Sequence, residues 1–467
     1  MGLLTSQIDR DFDGGIYLAP LGEIPAPDHI GSVDYDGNLY LPLTIDGSTE
    51  MEVVVTAGQQ VPRGTLLARG GGYCLYAPRP GVVKGETAPG DAGIWAAGKT
   101  EQKALVLEQF SAISARDYVG KSKSVYKVSA EEIEQAKDEI RSANERRGLK
   151  QRRTVWDKIE RAGIVTTEGA RPLAAWLKEL SHNEIKVVVA NATPLEATLN
   201  GCLAILARWP EQVFTGLAIL KTFLQADEAI MAYPHGFNIN MTSAQEWEVK
   251  CVAVSEKYPQ GRSGSVLRTL KKQKQLGRRG VRQDQAVVFE IQLLRQVERA
   301  VLTGEMPTER VITISGDGVK RPGHFLVPLG LPLQELLTRA GIYQDVACVA
   351  EGSSLAGKAI DAQKAVVTQT SESYTVVRRV KRDQPHNCVR CGWCIADCPS
   401  GIDPMRLFKL AQSRQYHRTR QLSIDACVEC GICSYICPSH LPIMEQIRTA
   451  KEILRNDKNI NSVINDA

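Results

Sequence analysis

The sequence contains the run Cys388-Val389-Arg390-Cys391-Gly392-Trp393-Cys394-Ile395-Ala396-Asp397-Cys398-Pro399, with four cysteines and a final proline. The same C-x-x-C-x-x-C-x-x-x-C-P pattern returns from Cys427 to Pro438. Bacterial ferredoxins use this spacing to hold two 4Fe–4S clusters, because three thiolates on one loop ligate one cluster and the fourth thiolate reaches the other. The repeated pattern therefore predicts a two-cluster ferredoxin domain that moves single electrons.

Crossed ligation divides the cysteines of the two runs into two sets. Set 1 consists of Cys388, Cys391, Cys394 and Cys437, and set 2 consists of Cys427, Cys430, Cys433 and Cys398. Zinc is the competing metal, since zinc sites also use paired C-x-x-C motifs. Four thiolates satisfy one zinc ion, however, and zinc has no use for the third cysteine and the Cys-Pro ending of each run. We therefore expect two 4Fe–4S clusters as cofactors and no catalytic side chain.

Apolar side chains stand between and beside the predicted ligands: Trp393, Ile395, Ile432, Tyr435 and Ile436. Residues that exclude water from a metal centre tune its redox potential. We expect these side chains to shield the clusters, with ordinary packing as the alternative.

The composition of the 467-residue chain indicates an ordinary globular protein, with 43% hydrophobic and 24% charged residues. Its length suits three or four domains. A net charge of +4 gives no reason to expect a nucleic-acid partner. No run approaches the roughly 20 apolar residues of a transmembrane helix. Because no secretory signal is visible and a cluster protein needs a reducing compartment, we expect the protein in the cytoplasm, free or peripheral on the cytoplasmic face of a membrane.

Four domains of mixed α/β and α+β class are predicted along the chain. Residues 1–120 show short β runs in the cadence of a barrel-sandwich hybrid, the fold of biotinyl and lipoyl carriers. The expected hairpin tip, Gly70 to Tyr73, has no lysine to modify, so we expect a structural barrel without a swinging arm. Residues 121–300 are expected to form an α/β domain of nucleotide-binding type, residues 301–375 a β-grasp (SLBB-like) module, and residues 376–467 the ferredoxin domain.

The α/β domain is predicted from alternating strand and helix patterns. A capping box, Ser129 followed by Glu132, starts a helix that is expected to end at Arg147. The buried-strand run Ile185 to Ala190 precedes a long amphipathic helix, and residues 228–232 follow as the next strand, which implies a parallel sheet. The basic stretch 261–282 predicts a solvated face or, alternatively, a docking patch for an acidic partner or an anionic lipid surface.

In this order the domains resemble the C subunit of the Rnf electron-transport complexes, which is related to cobalamin-reductase flavoproteins and to the flavin subunit of respiratory complex I. The resemblance begins with Gly14-Gly15-Ile16 and includes the loop Lys257-Tyr258-Pro259-Gln260-Gly261 and the stretch Val311 to Gly323. It implies an RnfC-like subunit of a redox complex. It also implies protein redox partners, either the membrane subunits of an Rnf-like complex or a soluble carrier.

The chain departs from this family where the family binds flavin. The family's G-x-G-G-A-G-F-P loop cradles the flavin phosphate on backbone amides, whereas Gly163 to Pro172 here keeps one loop glycine, Gly169, and adds the acidic Glu168. Two further pocket segments, 191–196 and 351–357, are altered as well. We therefore expect no FMN. The alternatives are a complete FMN-dependent NADH dehydrogenase with a non-standard phosphate loop, for which Gly169 and Arg171 are the cofactor-binding candidates, and a structural adaptor.

Overall fold

The computed structural model describes residues 11–87, 95–96, 102–110, 129–146, 149–276, 281–380 and 383–465. Two small sheets form the first part of the chain. One sheet has the strand order β2 (Asn38–Pro42), β9 (Ala104–Gln109), β7 (Gly81–Glu86) and β4 (Gln60–Val61), all antiparallel. The other has the order β3 (Glu52–Val53), β5 (Leu66–Gly70) and β6 (Tyr73–Tyr76). Both sheets bury leucines in one shared core, which extends to the sheet described below over residues 309–377.

The hairpin tip predicted from the sequence lies between β5 and β6. Gly71 and Gly72 turn the chain with φ of 57° and 85°, a region that favours glycine. The tip is held in place, because the Tyr73 hydroxyl donates to the Ala170 carbonyl at 2.8 Å and Gly72 lies against Pro172. This hairpin is therefore a fixed contact with the loop at residues 163–172.

Two strands of the N-terminal region pair beyond the predicted first domain. Strand β1 (Ile30–Ser32) pairs in parallel with β15 (Gly323–Pro328), and β8 (Trp95–Ala96) pairs in parallel with β18 (Ala365–Val366). The pairing of β1 makes it an edge strand of the β-grasp sheet. Sequence periodicity indicates that a segment is a strand but not which sheet it joins, so the predicted boundary at residue 120 does not capture these two pairings.

The α/β region begins with α1 (Ala130–Arg146), α2 (Leu149–Ala162) and α3 (Leu173–Leu180). The predicted capping box is present at the start of α1. The Ser129 amide donates to Glu132 Oε2 at 2.7 Å, and the Glu132 amide donates to Ser129 Oγ at 3.1 Å. Arg147 and Gly148, the predicted end of this helix, lie outside the described residues.

A four-stranded parallel sheet forms the centre of this region, as the sequence predicts. Its order is β12 (Val249–Val254), β11 (Glu228–Pro234), β10 (Val187–Asn191) and β13 (Ala286–Glu290). The remaining helices of this region are α4 (Gly201–Arg208), α5 (Pro210–Leu224), α6 (Met241–Glu246), α7 (Ser263–Lys272) and α8 (Ile291–Glu298), and a π-helical turn, Arg299–Thr303, continues α8.

Two expectations for this region need correction. The single long helix after β10 is two helices, because Pro210 has no amide hydrogen with which to continue α4 and instead starts α5. The basic stretch is not only a solvated face, since α7 buries Val266 and Leu270 in a core shared with the parallel sheet. The cations Arg278 and Arg279 lie outside the described residues.

The third region contains the strand–turn–strand–helix unit predicted from the sequence. Strand β14 (Glu309–Ser315) pairs antiparallel with β15, and α9 (Leu333–Ala340) follows. The full sheet order is β1, β15, β14, β19 (Ser373–Val377), β16 (Cys348–Glu351) and β17 (Lys358–Ile360). Gly316 makes the turn after β14 with φ of 108°, and a Cβ there would lie 2.1 Å from the Val376 carbonyl oxygen.

A buried histidine in this sheet predicts acid sensitivity. His324 is 1% exposed, its Nδ1 lies 3.0 Å from Thr313 Oγ1, and its Nε2 has no partner among the described residues. Burial, followed by the nearby His29, lowers the pKa of His324 from 6.5 to about 4. The unfolded chain therefore takes up a proton that the folded chain resists, and stability is lost as the pH falls from 6.5 towards 4.

We expect His324→Gln to reduce the stability lost between pH 8 and pH 5 by on the order of 2 kcal/mol. Urea unfolding at the two pH values measures this difference, and comparison with the unmodified protein cancels acid effects on other groups. His182→Gln is the control because His182 lies on the surface. An equal acid sensitivity of the His324 variant and the unmodified protein would contradict the prediction.

The last region is built from a repeated unit. In the first copy, α10 (Trp393–Ala396) is followed by α11 (Pro404–Gln412), and in the second, α13 (Ile432–Tyr435) is followed by α14 (Ile443–Asn465). Helix α12 (Tyr416–Gln421) joins the copies. The predicted stripe of α14, Ile443, Ile447, Ala450 and Leu454, is buried against α11, as expected from the sequence.

Candidate cluster-binding site and adjoining cavity

The two cysteine loops have the same backbone shape. Arg390 and Glu429 occupy equivalent places with φ of 56° and 53°, and Gly392 and Gly431 both have φ of 81°. Left-handed residues of this kind turn successive amides towards one point, which creates a concave site for an anion. The Arg390 amide donates to Cys388 Sγ at 3.4 Å.

The structure brings each predicted cysteine set together. Burial raises the pKa of Cys394 to about 11. The side chains that raise it further are, from the largest effect to the smallest, Asp403, Cys391, Cys437 and Cys388. Burial also raises the pKa of Cys433, where the acting neighbours are Cys427, Cys430 and Cys398. The cysteines that shift the pKa of each of these two thiols are therefore the members of its own set, including the fourth cysteine from the other run. This grouping favours crossed ligation, which stays a prediction.

The donor type of each set fits the expected cofactor. Each set has four thiols, which is the number of cysteine ligands that one 4Fe–4S cluster uses. Among the described residues, no group of three or more histidine, cysteine or acidic side chains is close enough to hold one metal ion.

The two sets differ in exposure. Around set 1, Cys391 is exposed, and Val389 and Trp393 are 66% and 54% exposed. In set 2, Cys430 and Cys433 are buried, and Ile432 beside them is 1% exposed. The predicted shielding of the clusters by apolar residues therefore applies to Ile432 but not to Trp393, Ile395 or Tyr435, whose side chains face solvent.

Set 2 is buried by residues from other regions. The Tyr258 hydroxyl, in the Lys257–Gly261 loop, donates to the Cys430 carbonyl at 2.5 Å. Gly431 packs so closely that a Cβ there would lie 2.4 Å from the Leu355 carbonyl oxygen. Both loops belong to segments singled out in the sequence, which are far apart along the chain and meet at set 2.

The Gly14-Gly15-Ile16 segment joins this contact. The Gly15 amide donates to the Asp397 carbonyl at 2.9 Å, and Ile16 exchanges two backbone hydrogen bonds with Tyr258. A Cβ on Gly14 would lie 2.6 Å from the Cys398 carbonyl oxygen. These glycines are therefore required by close packing between the second and fourth regions.

Two cations, Arg268 and Lys451, lie beside set 2. Arg268 of α7 has two buried nitrogens, Nε and Nη2, that find no acceptor among the described residues. Burial lowers the pKa of Arg268 while the nearby Cys398 thiolate raises it, which places the guanidinium close to a predicted ligand. Lys451 donates to the Cys427 carbonyl at 2.9 Å. An anionic thiolate-ligated cluster would give the Arg268 donors a partner, so the surroundings fit the proposed cofactor.

A cavity of about 630 Å³ lies next to set 2. It opens at the carboxyl ends of the parallel strands β10 and β13, where α/β proteins commonly bind ligands. Its wall includes residues 167–170, 193–195, 261–263, 288–292 and 351–353. This is the place at which the sequence predicts an altered nucleotide site.

The two candidate cofactor residues do not meet in this cavity. Gly169 lines it, with φ of 84°. Arg171 is not among the lining residues; its guanidinium pairs with Glu179 and lies 5.9 Å from the Trp176 ring centroid. The carboxylate of Glu168 accepts from Ser263 Oγ at 3.2 Å and lies 3.8 Å from Arg262.

Glu290 is a residue of this site that the sequence motifs do not reveal. Its Oε2 accepts the Thr167 amide and its Oε1 accepts the Glu168 amide, each at 3.0 Å. These amides belong to the loop that corresponds to the family's phosphate cradle. Because Glu290 is the last residue of β13, its place at the ligand-binding edge of the sheet was a usable signal.

Arg310 and Glu372 complete the charged wall. Arg310 is 2% exposed and donates to the Ser371 carbonyl at 2.7 Å, to the Gln369 carbonyl and to Thr167 Oγ1 at 3.0 Å. Glu372 lines the cavity and is exposed to water there. Desolvation by the surrounding protein, followed by the Glu290 carboxylate, raises the pKa of Glu372 to about 7.

The fold and site define a multidomain α/β protein with an SLBB module and a ferredoxin-type end, and comparisons with known proteins agree. The family model described as "4Fe-4S dicluster domain" matches residues 387–442, and the "SLBB domain" model matches residues 311–347. The chain is 26% identical over 454 residues to the C subunit of the ion-translocating oxidoreductase complex of Klebsiella pneumoniae (strain 342). It is 26% identical over 453 residues to the protein of the same name from Salmonella typhimurium (strain LT2).

These two alignments cover 94% of this chain and 57% and 58% of the relatives, so the chain spans less than two thirds of their length. The resemblance to the C subunits of Rnf complexes is confirmed across nearly the whole sequence. Among solved structures, an NAD⁺-reducing [NiFe]-hydrogenase in the air-oxidized state aligns with a TM-score of 0.41 and 16% identity over 56% of this chain and 52% of that one. No helix within the described residues is long and apolar enough to cross a bilayer.

Proposed function

We propose that this protein is an RnfC-like electron-transfer subunit of a redox complex and that it passes electrons through two 4Fe–4S clusters held by set 1 and set 2. The unequal burial of the two cysteine sets carries this proposal. Set 2 is covered by Tyr258 and Leu355 from other regions, while set 1 reaches the surface at Cys391. This arrangement supports a relay with one protected inner cluster and one outer cluster that a partner can approach.

The surroundings give the two clusters different electrostatic environments. Three cations, Arg268, Lys451 and Arg262, and one carboxylate, Glu429, act on set 2 thiols. The charged side chain other than cysteine that acts on Cys394 of set 1 is Asp403. Nearby cations favour the more negative, reduced form of a cluster, and a nearby carboxylate disfavours it. Hydrogen bonds and solvent exposure also set cluster potentials. The two clusters should therefore titrate at separate potentials.

Exposed apolar side chains around set 1 indicate a protein partner. Val389, Trp393 and Ile395 flank the ligands and are 66%, 54% and 46% exposed. Trp393 is an aromatic residue, and aromatic residues are enriched in protein interfaces. Either the membrane subunits of an Rnf-like complex or a soluble carrier would bring its own redox centre close to the outer cluster. The small net charge of +4 does not suggest a nucleic-acid partner.

A complete FMN-dependent NADH dehydrogenase is the second candidate. The cavity of about 630 Å³ at the carboxyl ends of the parallel strands favours it. The Glu290 carboxylate at the amides of Thr167 and Glu168 counts against it. The relay is therefore the function that the geometry supports better.

Metal, flavin and redox analysis of anaerobically prepared protein tests the relay. We expect about eight iron and eight acid-labile sulfide per chain, two reversible one-electron transitions, no FMN and no reduction of the clusters by NADH. Electron paramagnetic resonance during a potential titration counts the transitions, and acid release followed by fluorescence measures flavin. Stoichiometric zinc would reject the cluster assignment, whereas stoichiometric FMN with NADH-reducible clusters would favour the dehydrogenase.

A further inference from the structure

We propose that Glu290 determines what the α/β cavity accepts, because its carboxylate holds the anion position formed by the Thr167 and Glu168 amides and so excludes a phosphate from it. The cavity then selects ligands that are neutral or cationic at this position. This inference goes beyond the electron relay and does not depend on the number of clusters.

The geometry is that of a bound anion. Two consecutive amides donate to the two oxygens of one carboxylate, each at 3.0 Å. Backbone amides that point to one place are a common binding site for phosphate. In this chain the anion is the carboxylate of Glu290, a side chain of β13. Because it is part of the protein, its local concentration at the amides is always high.

The loop is fixed in the shape that this contact requires. The Thr166 amide donates to the Arg171 carbonyl at 2.9 Å, and the Arg171 amide donates back to Thr166 Oγ1 at 3.1 Å. Thr166 Oγ1 also donates to the Glu168 carbonyl at 2.9 Å. The amides of Thr167 and Glu168 are therefore held in position independently of Glu290, and they would remain directed at the same point without it.

The charged side chains that line the cavity also disfavour a bound phosphate. The lining contains five carboxylates, of Asp46, Glu168, Glu290, Glu351 and Glu372, and three cations, of Arg262, Lys358 and Arg455. Arg310 lies behind the loop and acts on Glu372 and Glu290. A phosphate at the amides would add two negative charges next to Glu290 and Glu372, which is unfavourable at low local dielectric. Removal of Glu290 would leave Arg310 balanced by Glu372 alone.

Glu290→Ala tests the proposal in the full-length protein with its clusters. We expect the variant to bind FMN at least about tenfold more tightly than the unmodified protein, because two oriented amides become available to the phosphate. Quenching of FMN fluorescence measures the affinity, and inorganic phosphate should compete with FMN in the variant. Hydrogen exchange of the peptide covering residues 163–172 should accelerate in the variant and slow again when phosphate is added.

Glu168→Gln is the matched control, since it removes a charge from the same loop without freeing the amides. We expect its FMN affinity to rise much less than that of Glu290→Ala, because one repelling charge is removed while the Thr167 and Glu168 amides stay occupied by Glu290. If the alanine variant does not fold, Glu290→Asp replaces it, because the shorter side chain withdraws the carboxylate from the amides. Equal FMN affinity in the Glu290 variant and the unmodified protein would overturn the proposal, as would a gain of the same size in Glu168→Gln.

Discussion

Cys398→Ser protein should retain only about four of its eight irons, and the cluster that disappears should be the one held by Cys427, Cys430 and Cys433. The substitution removes a thiolate that lies in the first cysteine run but acts on the thiols of the second run. A serine hydroxyl is a poor substitute because it does not ionise near neutral pH. Iron analysis and electron paramagnetic resonance of the reduced protein measure the loss.

Cys437→Ser is the mirror experiment and should remove the cluster of Cys388, Cys391 and Cys394 instead. Because the outer cluster is exposed, its loss should leave the buried cluster and its potential largely unchanged. Cys348→Ser, in β16, controls for the general effect of losing a thiol and should keep all of the iron. If Cys398→Ser destroyed only the cluster of its own run, the crossed assignment would be wrong.

Arg310→Met should lower the free energy of unfolding of the α/β and β-grasp regions by about 3–5 kcal/mol at pH 8. The substitution leaves the Ser371 and Gln369 carbonyls without their donor. It also leaves two neighbouring carboxylates, of Glu290 and Glu372, without their buried cation. Urea unfolding followed by circular dichroism measures the change. The variant should be less impaired at low pH than at pH 8.

The sign of this pH dependence follows from Glu372, whose pKa is raised from 4.5 to about 7. Between these values the folded protein holds more protons than the unfolded chain, so stability falls as the pH rises. Without Arg310 the carboxylate is harder to ionise, and the fall becomes steeper. The double variant Arg310→Met with Glu372→Gln should recover part of the loss at pH 8. Unchanged stability of Arg310→Met at pH 8 would contradict the account.

The features that the sequence predicted correctly depend on local order in the chain. Cysteine spacing indicated the 4Fe–4S dicluster domain that the family model matches at residues 387–442, whereas the individual ligands stay a prediction. The capping box of α1 depends on residues three positions apart. The β-grasp unit followed from alternation and turn residues over residues 309–340. Pro210 was visible as a helix start, but the amphipathic pattern continued across it and concealed the break.

The features that the sequence did not predict depend on contacts across the fold. Glu290 reaches amides 123 and 122 residues away, and Arg310 reaches Thr167 across 143 residues. The sequence favours Arg171 as the cation of the loop because it is adjacent, yet that guanidinium pairs with Glu179 on α3. Periodicity assigns a side chain to a face of a strand or helix, but it does not identify the residue opposite.

The close packing around Cys430 also constrains how the mature protein is made. Tyr258 and Leu355 cover the loop that carries this cysteine, and Gly14 and Gly15 pack against the backbone of Asp397 and Cys398. With the cluster assignment proposed above, a donor of iron and sulfide would have to reach set 2 before these contacts form, whereas Cys391 stays accessible afterwards. The proposed assignment therefore predicts an order of maturation in which the inner cluster is inserted first, and a chain that closes early would be left with an outer cluster only.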